Sequence, residues 1–369
     1  MLKLFFLIVL FIHGMIHILG FLKAFQLAEI NQLTQNISKP MGMLWLLALV
    51  LFLVTALQLI SNHDLWWITA LAAVILSQVL IILFWQDAKF GTIANIIILL
   101  AVIAGYGFWS FENIFNNDVA VSLERSLNNE KTLITEKDIE HLPKPVQKYL
   151  TYTGALGKSK PQNVYIEFDA EMYKKPGDKP MKSHSVQYNF YGEYSRLFQM
   201  EASKMGIPFR AIHIYKNEKA SFQVKVAELF KVVDVKGEEL TKAETVTLLN
   251  DMCIFAPGSL IDNLLTWSEK DSLTVKVTLT NGKYVVSAML YFNETGELIN
   301  FVSDDRSALQ DDGTMKQVRW TTPISDYKDF GGRKIPTKGK TIWNYPEGDF
   351  TYGVFKLKNI KYNVTKDNL

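Results

Sequence analysis

Four apolar runs, at about residues 2–22, 41–60, 65–85 and 91–111, decide most of what this chain can become. Each is long enough for a bilayer-crossing helix, which needs about 20 residues. Residues 1–111 hold seven charged side chains: Lys3, Lys23, Glu29, Lys39, Asp64, Asp87 and Lys89. Residues 112–369 have the charge density of an ordinary soluble protein. Of the eight tryptophans, Trp45, Trp66, Trp67, Trp85 and Trp109 stand towards the ends of the runs, and indole rings favour the headgroup zone. The chain therefore divides into four transmembrane helices (1–111), a helical connector (112–160) and a soluble part (161–369). Lys3 before an apolar stretch also fits a signal peptide. No small-x-small cleavage site follows, and His13 interrupts the run, so a retained first helix is expected.

The first run contains "FIHGMIHILGFLKAF", with His13 and His17 on one helix face. An intramembrane ionisable residue is a functional hypothesis by default. A metal site needs further ligands, however, and the other spans offer only Ser77, Gln78 and Asn95. Two neighbours on one helix cannot reach opposite sides of a haem. Interhelical hydrogen bonding is the leading reading; haem or metal, and quinone or lipid-headgroup contact, remain the alternatives. Gly14 and Gly20 suit close helix packing. No metal or cofactor is expected.

The soluble part begins with "ITEKDIEHLPKPVQKYLTYTG", where Thr135 and Asp138 can cap a helix and Pro143 and Pro145 can open another. Strand patterns follow at 163–173, 185–201, 208–216, 219–226, 228–235, 297–307, 315–327, 338–346 and 349–363. In "SLTVKVTLTNGKYVVSAMLYF", Asn281-Gly282 reads as a two-residue hairpin turn. That turn pairs Leu279 with Tyr284, Val277 with Val286 and Val275 with Ala288, making one face apolar. One helical stretch, about 241–265, interrupts the strands. Thr241 and Glu244 form a capping-box pattern, and Ala243, Val246, Leu249 and Cys253 share a face until Pro257 breaks the helix. The expected fold is a four-span α-helical membrane domain plus an α+β soluble domain. The latter is an antiparallel curved sheet, or half-barrel, covered by short helices.

Chemistry is harder to find. The chain lacks G-x-S-x-G, H-E-x-x-H, a phosphate loop and a dinucleotide fingerprint, so no catalytic residue is assigned. Cys253 is the single cysteine and reads as a buried structural thiol; no internal disulfide or N-terminal lipid-anchored cysteine follows from it. His184 and His213 read as strand-face polar residues. The net charge of +2, without a long basic block, argues against nucleic acid as a partner. If the helix incompletely covers the sheet, an apolar pocket results. Its candidate residues are Val246, Leu249 and Cys253 turned inward, Asn250 and Asp251 at the rim, and Trp267, Trp320 and Trp343 as walls. Asp251 or Asp305 would hold Arg306.

The segments "NDMCIFAPGSLID", "FNETGELINFVSDDR", "FTYGVFKLKNIKYN" and "LPKPVQKYLTYTGALG" resemble a family of bacterial membrane proteins classed as a domain of unknown function. The resemblance covers most of 135–365, and some members carry a His-Gly-x-x-His stretch like that from His13 to His17. The strand-over-helix pattern is also similar to the half-barrel of lipoprotein carriers. The four apolar runs make the chain a multi-pass protein of the cytoplasmic membrane, and that likeness implies that its extracytoplasmic domain binds lipid or lipoprotein acyl chains. Membrane lipids, and a lipoprotein or envelope protein, are its implied partners. A membrane enzyme or redox protein using His13 and His17, and an envelope scaffold with a self-filled barrel, are the competing expectations.

Overall fold

A computed structural model describes residues 2–126, 132–204, 207–226 and 230–366. The chain forms two compact units, residues 1–113 and 114–369. The first contains α1 (Leu2–Ile16), α2 (Ile18–Ala24), α3 (Lys39–Ile60), α4 (Trp66–Leu83), the short α5 (Trp85–Ala88) and the start of α6 (Gly91–Ser126). Four helical stretches are long and apolar enough to cross a membrane: Lys3–Ala24, Lys39–Ile60, Trp66–Leu83 and Gly91–Ser126. Large apolar side chains such as Leu4, Ile8, Ile75, Ile82 and Leu100 lie exposed on the outside of this unit. That is the reverse of a water-soluble bundle and suits a lipid solvent.

The first expected span breaks at His17, between α1 and α2. The His17 backbone N–H reaches back only three residues, to Gly14 O at 3.0 Å, while its ring Nδ1 donates to His13 O at 2.9 Å. The side chain takes the carbonyl that the backbone of an α-helix would use, so the turn tightens locally. Gly20 permits the packing there: a Cβ would come within 2.2 Å of the Trp45 ring. Trp45 itself is buried.

The second unit starts with the end of α6, then α7 (Glu136–Ile139) and α8 (Lys144–Tyr152). Thr135 and Asp138 make the expected capping box over α7, and Pro143 and Pro145 open α8. Six strands follow: β1 (Asn163–Met172), β2 (Met181–Phe190), β3 (Ser195–Lys204), β4 (Ile207–Lys216), β5 (Lys219–Val226) and β6 (Phe230–Lys236). Next come α9 (Glu238–Phe255) and a short 3-10 helix (Pro257–Ile261). The chain then adds β7 (Leu265–Asp271), β8 (Thr274–Asn281), β9 (Tyr284–Phe292), β10 (Leu298–Ser303), β11 (Ser307–Leu309) and β12 (Met315–Gln317). It finishes with β13 (Arg319–Asp329), β14 (Lys334–Tyr345) and β15 (Gly348–Tyr362).

Among the described residues, thirteen strands form one antiparallel sheet in the order β6-β5-β4-β3-β2-β1-β15-β14-β13-β10-β9-β8-β7; β11 and β12 pair separately. The order is linear, so the curved sheet does not close. Its topology fixes the place of α9. The chain meanders out to the edge strand β6 and must resume at the opposite edge, β7. Its connection, α9 plus the 3-10 helix, therefore crosses from one edge of the sheet to the other. Residues from Ala243 to Ile254 are all buried, on every side of the helix.

Several local expectations shift. The strand expected at 185–201 is two, β2 and β3, with a turn at 191–194 that no strong turn dipeptide announces; Tyr194 has a positive φ of 25°. Strand β7 is additional to the expected strands, and 315–327 divides into β12 and β13. The β8–β9 turn centres on Gly282-Lys283, with Gly282 at φ 56°, one residue later than expected. Leu279 therefore pairs with Val286, Val277 with Ala288 and Val275 with Leu290. A shift of two positions preserves the parity of the pleat, so the same residues still share the apolar face. Helix α9 begins one turn before the expected capping box, after Gly237 at φ 120°. Thr241 Oγ1 instead donates to Gly237 O at 2.7 Å, which leaves Glu244 inside the helix and free for another role.

A charged cavity beneath the crossing helix

Helix α9 has two different buried faces. Val246, Leu249 and Cys253 belong to the apolar core, fully buried, and the Tyr149 hydroxyl donates to Cys253 O at 2.7 Å. Burial pushes the Cys253 thiol up, so it stays protonated and inert. The other face carries Ala243, Glu244, Thr247, Asn250, Asp251 and Ile254, at steps of three and four residues. This face lines a cavity of about 400 Å³. Phe168, Met172, Phe198, Met200, Phe222 and Ile324 supply apolar wall from the sheet, while Leu309 and Met315 come from β11 and β12.

The polar groups form one connected cluster. Glu244 lies 3.2 Å from Arg196 Nη1, 3.4 Å from His213 Nδ1 and 3.7 Å from Arg306 Nη2. Asp251 Oδ2 accepts from Arg196 Nε at 2.8 Å, Gln187 Nε2 at 2.8 Å and Asn189 Nδ2 at 3.2 Å. Arg196 Nη2 donates to Gln187 Oε1 at 2.9 Å. Asn250 Nδ2 donates to Thr322 Oγ1 at 2.6 Å. Arg306 donates from Nε to Thr247 Oγ1 at 3.1 Å and from Nη1 to the Tyr352 hydroxyl at 3.3 Å.

Burial works against ionisation of Glu244, but His213, Arg196 and Arg306 together outweigh it and hold the carboxyl down to about 2. Burial lowers His213, against the pull of Glu244, so its ring is neutral at pH 7. For Asp251 burial wins over Arg196 and raises the carboxyl. A buried charge is tolerated only when paired and hydrogen-bonded, and each carboxylate here meets that condition.

Of the residues named from sequence, Asn250, Asp251, Arg306, Trp320 and Trp343 come together around this cavity. Asn250 and Asp251 are buried within it rather than at a rim. Val246, Leu249 and Cys253 lie on the opposite helix face. Trp267 is on β7, half-buried against the core. Asp305 pairs with Lys242 at 3.0 Å and accepts from Ser287 N, so the acid beside Arg306 is Glu244. Glu244, Arg196, His213, Gln187, Thr247 and Tyr352 were not anticipated. Glu244 was hidden by the capping pattern; Arg196 and His213 are isolated polar residues in strands, and only the topology brings them together.

The membrane-length unit has its own buried polar cluster. With Nδ1 donating to a carbonyl, a neutral His17 ring accepts from the Ser77 hydroxyl at Nε2, 2.9 Å away. His13 Nε2 donates to Asn95 Oδ1 at 2.9 Å, and Asn95 Nδ2 donates to Ser77 Oγ at 3.1 Å and Gln78 Oε1 at 3.0 Å. Among the described residues, no group of three or more His, Cys, Asp or Glu side chains is placed to hold a metal ion.

Fold and cavity together define a class: a chain with four membrane-length apolar helices and an open, curved antiparallel sheet crossed by a buried helix over a charged cavity. The chain belongs to a family of unknown function (DUF6544), which it matches over residues 132–355. Among curated proteins no relative matches it. Its fold is similar to a LolA superfamily protein from Nitrosomonas europaea, at 10% identity and a TM-score of 0.34, covering 60% of this chain and 95% of that one. A domain described as an outer membrane lipoprotein-sorting protein, from Vibrio parahaemolyticus, is similar at 7% identity and a TM-score of 0.31. That match covers 56% of this chain and 88% of the other. Both likenesses are distant.

Proposed function

We propose that this protein is a membrane-anchored binding module for lipid or lipoprotein acyl chains, with its soluble unit on the extracytoplasmic side of the cytoplasmic membrane. The observation that carries the reading is the cavity of about 400 Å³ between α9 and the sheet. Its size falls among small-molecule sites, which span about 300–1,000 Å³ and are mostly apolar with a few placed polar groups. Phenylalanine and methionine walls suit a hydrocarbon chain, since methionine adapts to irregular shapes. Apolar helices on the same chain keep such a site close to membrane-derived ligands, which raises their effective concentration. Lys23, Lys39 and Lys89, in the loops on the side opposite the termini, are nearly balanced by Lys3, the α-amine, Arg125 and Lys131 on the side of the termini. The positive-inside rule therefore does not decide the orientation, and the fusions below test it.

Native mass spectrometry of the purified full-length protein tests the binding. A lipid or fatty acyl species should co-purify, and Ala211→Trp, which fills the cavity from β4, should lose it while keeping the fold. Wild-type protein free of any such species would refute the reading. For orientation, a C-terminal alkaline phosphatase fusion should be active and a C-terminal fluorescent-protein fusion dark; the reverse would place the soluble unit in the cytoplasm.

A further inference from the structure

Two arginines face the cavity, and they are not equally engaged. Arg196 places Nε on Asp251, Nη1 on Glu244 and Nη2 on Gln187. Arg306 commits Nε to Thr247 and one Nη1 bond to Tyr352. Its Nη2 has the Glu244 carboxylate at 3.7 Å, beyond hydrogen-bond distance. That same oxygen, Oε1, also lies near His213. The rings of Trp320 and Trp343 stand 4.3 and 5.0 Å from the Arg306 Cζ, so aromatic surface replaces much of the water around it. The Trp320 indole donates to the Tyr352 hydroxyl at 3.0 Å, and Tyr352 stacks on Trp343, so this seat is held rigidly. A guanidinium taken from water with so long a contact to its nearest carboxylate is under-compensated, and an incoming anion would correct that.

We propose that the cavity takes a single-chain amphiphile with a carboxylate head, the head on the Arg306 guanidinium and the hydrocarbon chain against Phe168, Met172, Phe198, Met200 and Ile324. This assignment rests on the lipid-binding reading above and names its ligand class. A carboxylate matches the planar donor fork of arginine. Glu244 and Asp251 face the same cavity, and their repulsion at low dielectric disfavours the second charge of a phosphate monoester. A neutral head would leave the Arg306 contact uncorrected.

The test uses full-length protein in amphipol, loaded with a fluorescent hexadecanoate analogue and challenged with hexadecanoate, hexadecan-1-ol or hexadecyl phosphate. Hexadecanoate should displace the probe about tenfold or more better than the alcohol, the scale of a charge-assisted hydrogen bond. Arg306→Gln should level acid and alcohol without weakening the alcohol, and Arg306→Lys, which keeps the charge but not the fork, should retain part of the difference. Equal displacement by acid and alcohol in the wild type overturns the head assignment and leaves lipid binding standing. Preference for the phosphate, or a preference for acid unchanged in Arg306→Gln, also overturns it. If none of the three competitors, nor the probe itself, binds, the underlying lipid reading falls instead. The wild-type comparison does not depend on either variant folding.

Discussion

The two units each bury a polar cluster, and the clusters are built from different chemistry. In the membrane-length unit the partners are His13, His17, Ser77, Gln78 and Asn95, with neutral donors and acceptors matched one to another. In the soluble unit the partners are two arginines, two carboxylates and a histidine, and part of the set faces a cavity. Bare charge is expensive in hydrocarbon, so a cluster that holds helices together there does best without it. Under α9 the charges can neutralise each other and still leave one guanidinium with capacity to spare. The first cluster matches its neutral groups to one another, which suits packing, although His13 and His17 also line a cavity of about 660 Å³ with Gln32, Asp87 and apolar side chains. The second differs in charge: it presents to its cavity a guanidinium 3.7 Å from its nearest carboxylate, which suits recognition of an anion.

The sharpest way to break this contrast is Glu244→Ala. It strips Arg196 and Arg306 of a shared buried partner, and removing one member of a buried ion pair costs about 3–5 kcal/mol. Chemical denaturation of the soluble unit's β signal should show a loss of that order; a loss below about 1 kcal/mol, the scale of an exposed pair, would mean the cluster is solvated.

Acid titration should come next in size. His213 is lowered from 6.5, so below that pH the unfolded chain binds a proton that the folded protein refuses, and stability falls. Glu244 is held down to about 2 from 4.5, so its contribution is full above 4.5 and is lost as pH drops towards 2. Asp251, raised by burial, acts in the opposite sense and gives back stability as it protonates. Stability measured from pH 7.5 to 3 should therefore decline in two stages, and His213→Gln should remove the upper one. A flat curve between pH 6.5 and 5 in the wild type would contradict the buried, neutral imidazole.

His13→Ala/His17→Ala probes the uncharged cluster. The double variant should lose about 1 kcal/mol per interhelical hydrogen bond removed, read as thermal stability in detergent. Its haem and metal content should equal that of the wild type; stoichiometric haem or metal present only in the wild type would turn the packing cluster into a cofactor site. The smallest effect belongs to Lys276, half-buried on the β8 face opposite Val275 and Val277. Lys276→Gln should change stability by less than about 0.5 kcal/mol and leave ligand retention alone.

Much of the architecture was legible from residue order alone. Run length and scarce charge set the four membrane-length helices, because spanning a bilayer is a local requirement on about 20 consecutive side chains. Alternation set the strands of the antiparallel sheet, and Thr135, Asp138 and Pro143 marked helix starts, since capping acts within one turn. Even the hairpin misplaced by one residue at its turn kept its apolar face, because parity survives a shift of two. The site was another matter. Pattern analysis chose Val246, Leu249 and Cys253 as the inward face of α9, and they do turn into an apolar core, but the cavity is on the other side. A helix crossing from one sheet edge to the other is buried all round, so hydrophobic periodicity cannot say which face meets a ligand. Arg196, His213, Glu244 and Arg306 come from β3, β4, α9 and the segment after β10. Only the open sheet's curvature and its edge-to-edge crossing bring them within hydrogen-bonding and ion-pairing range, because a charge cluster is a property of distances through space.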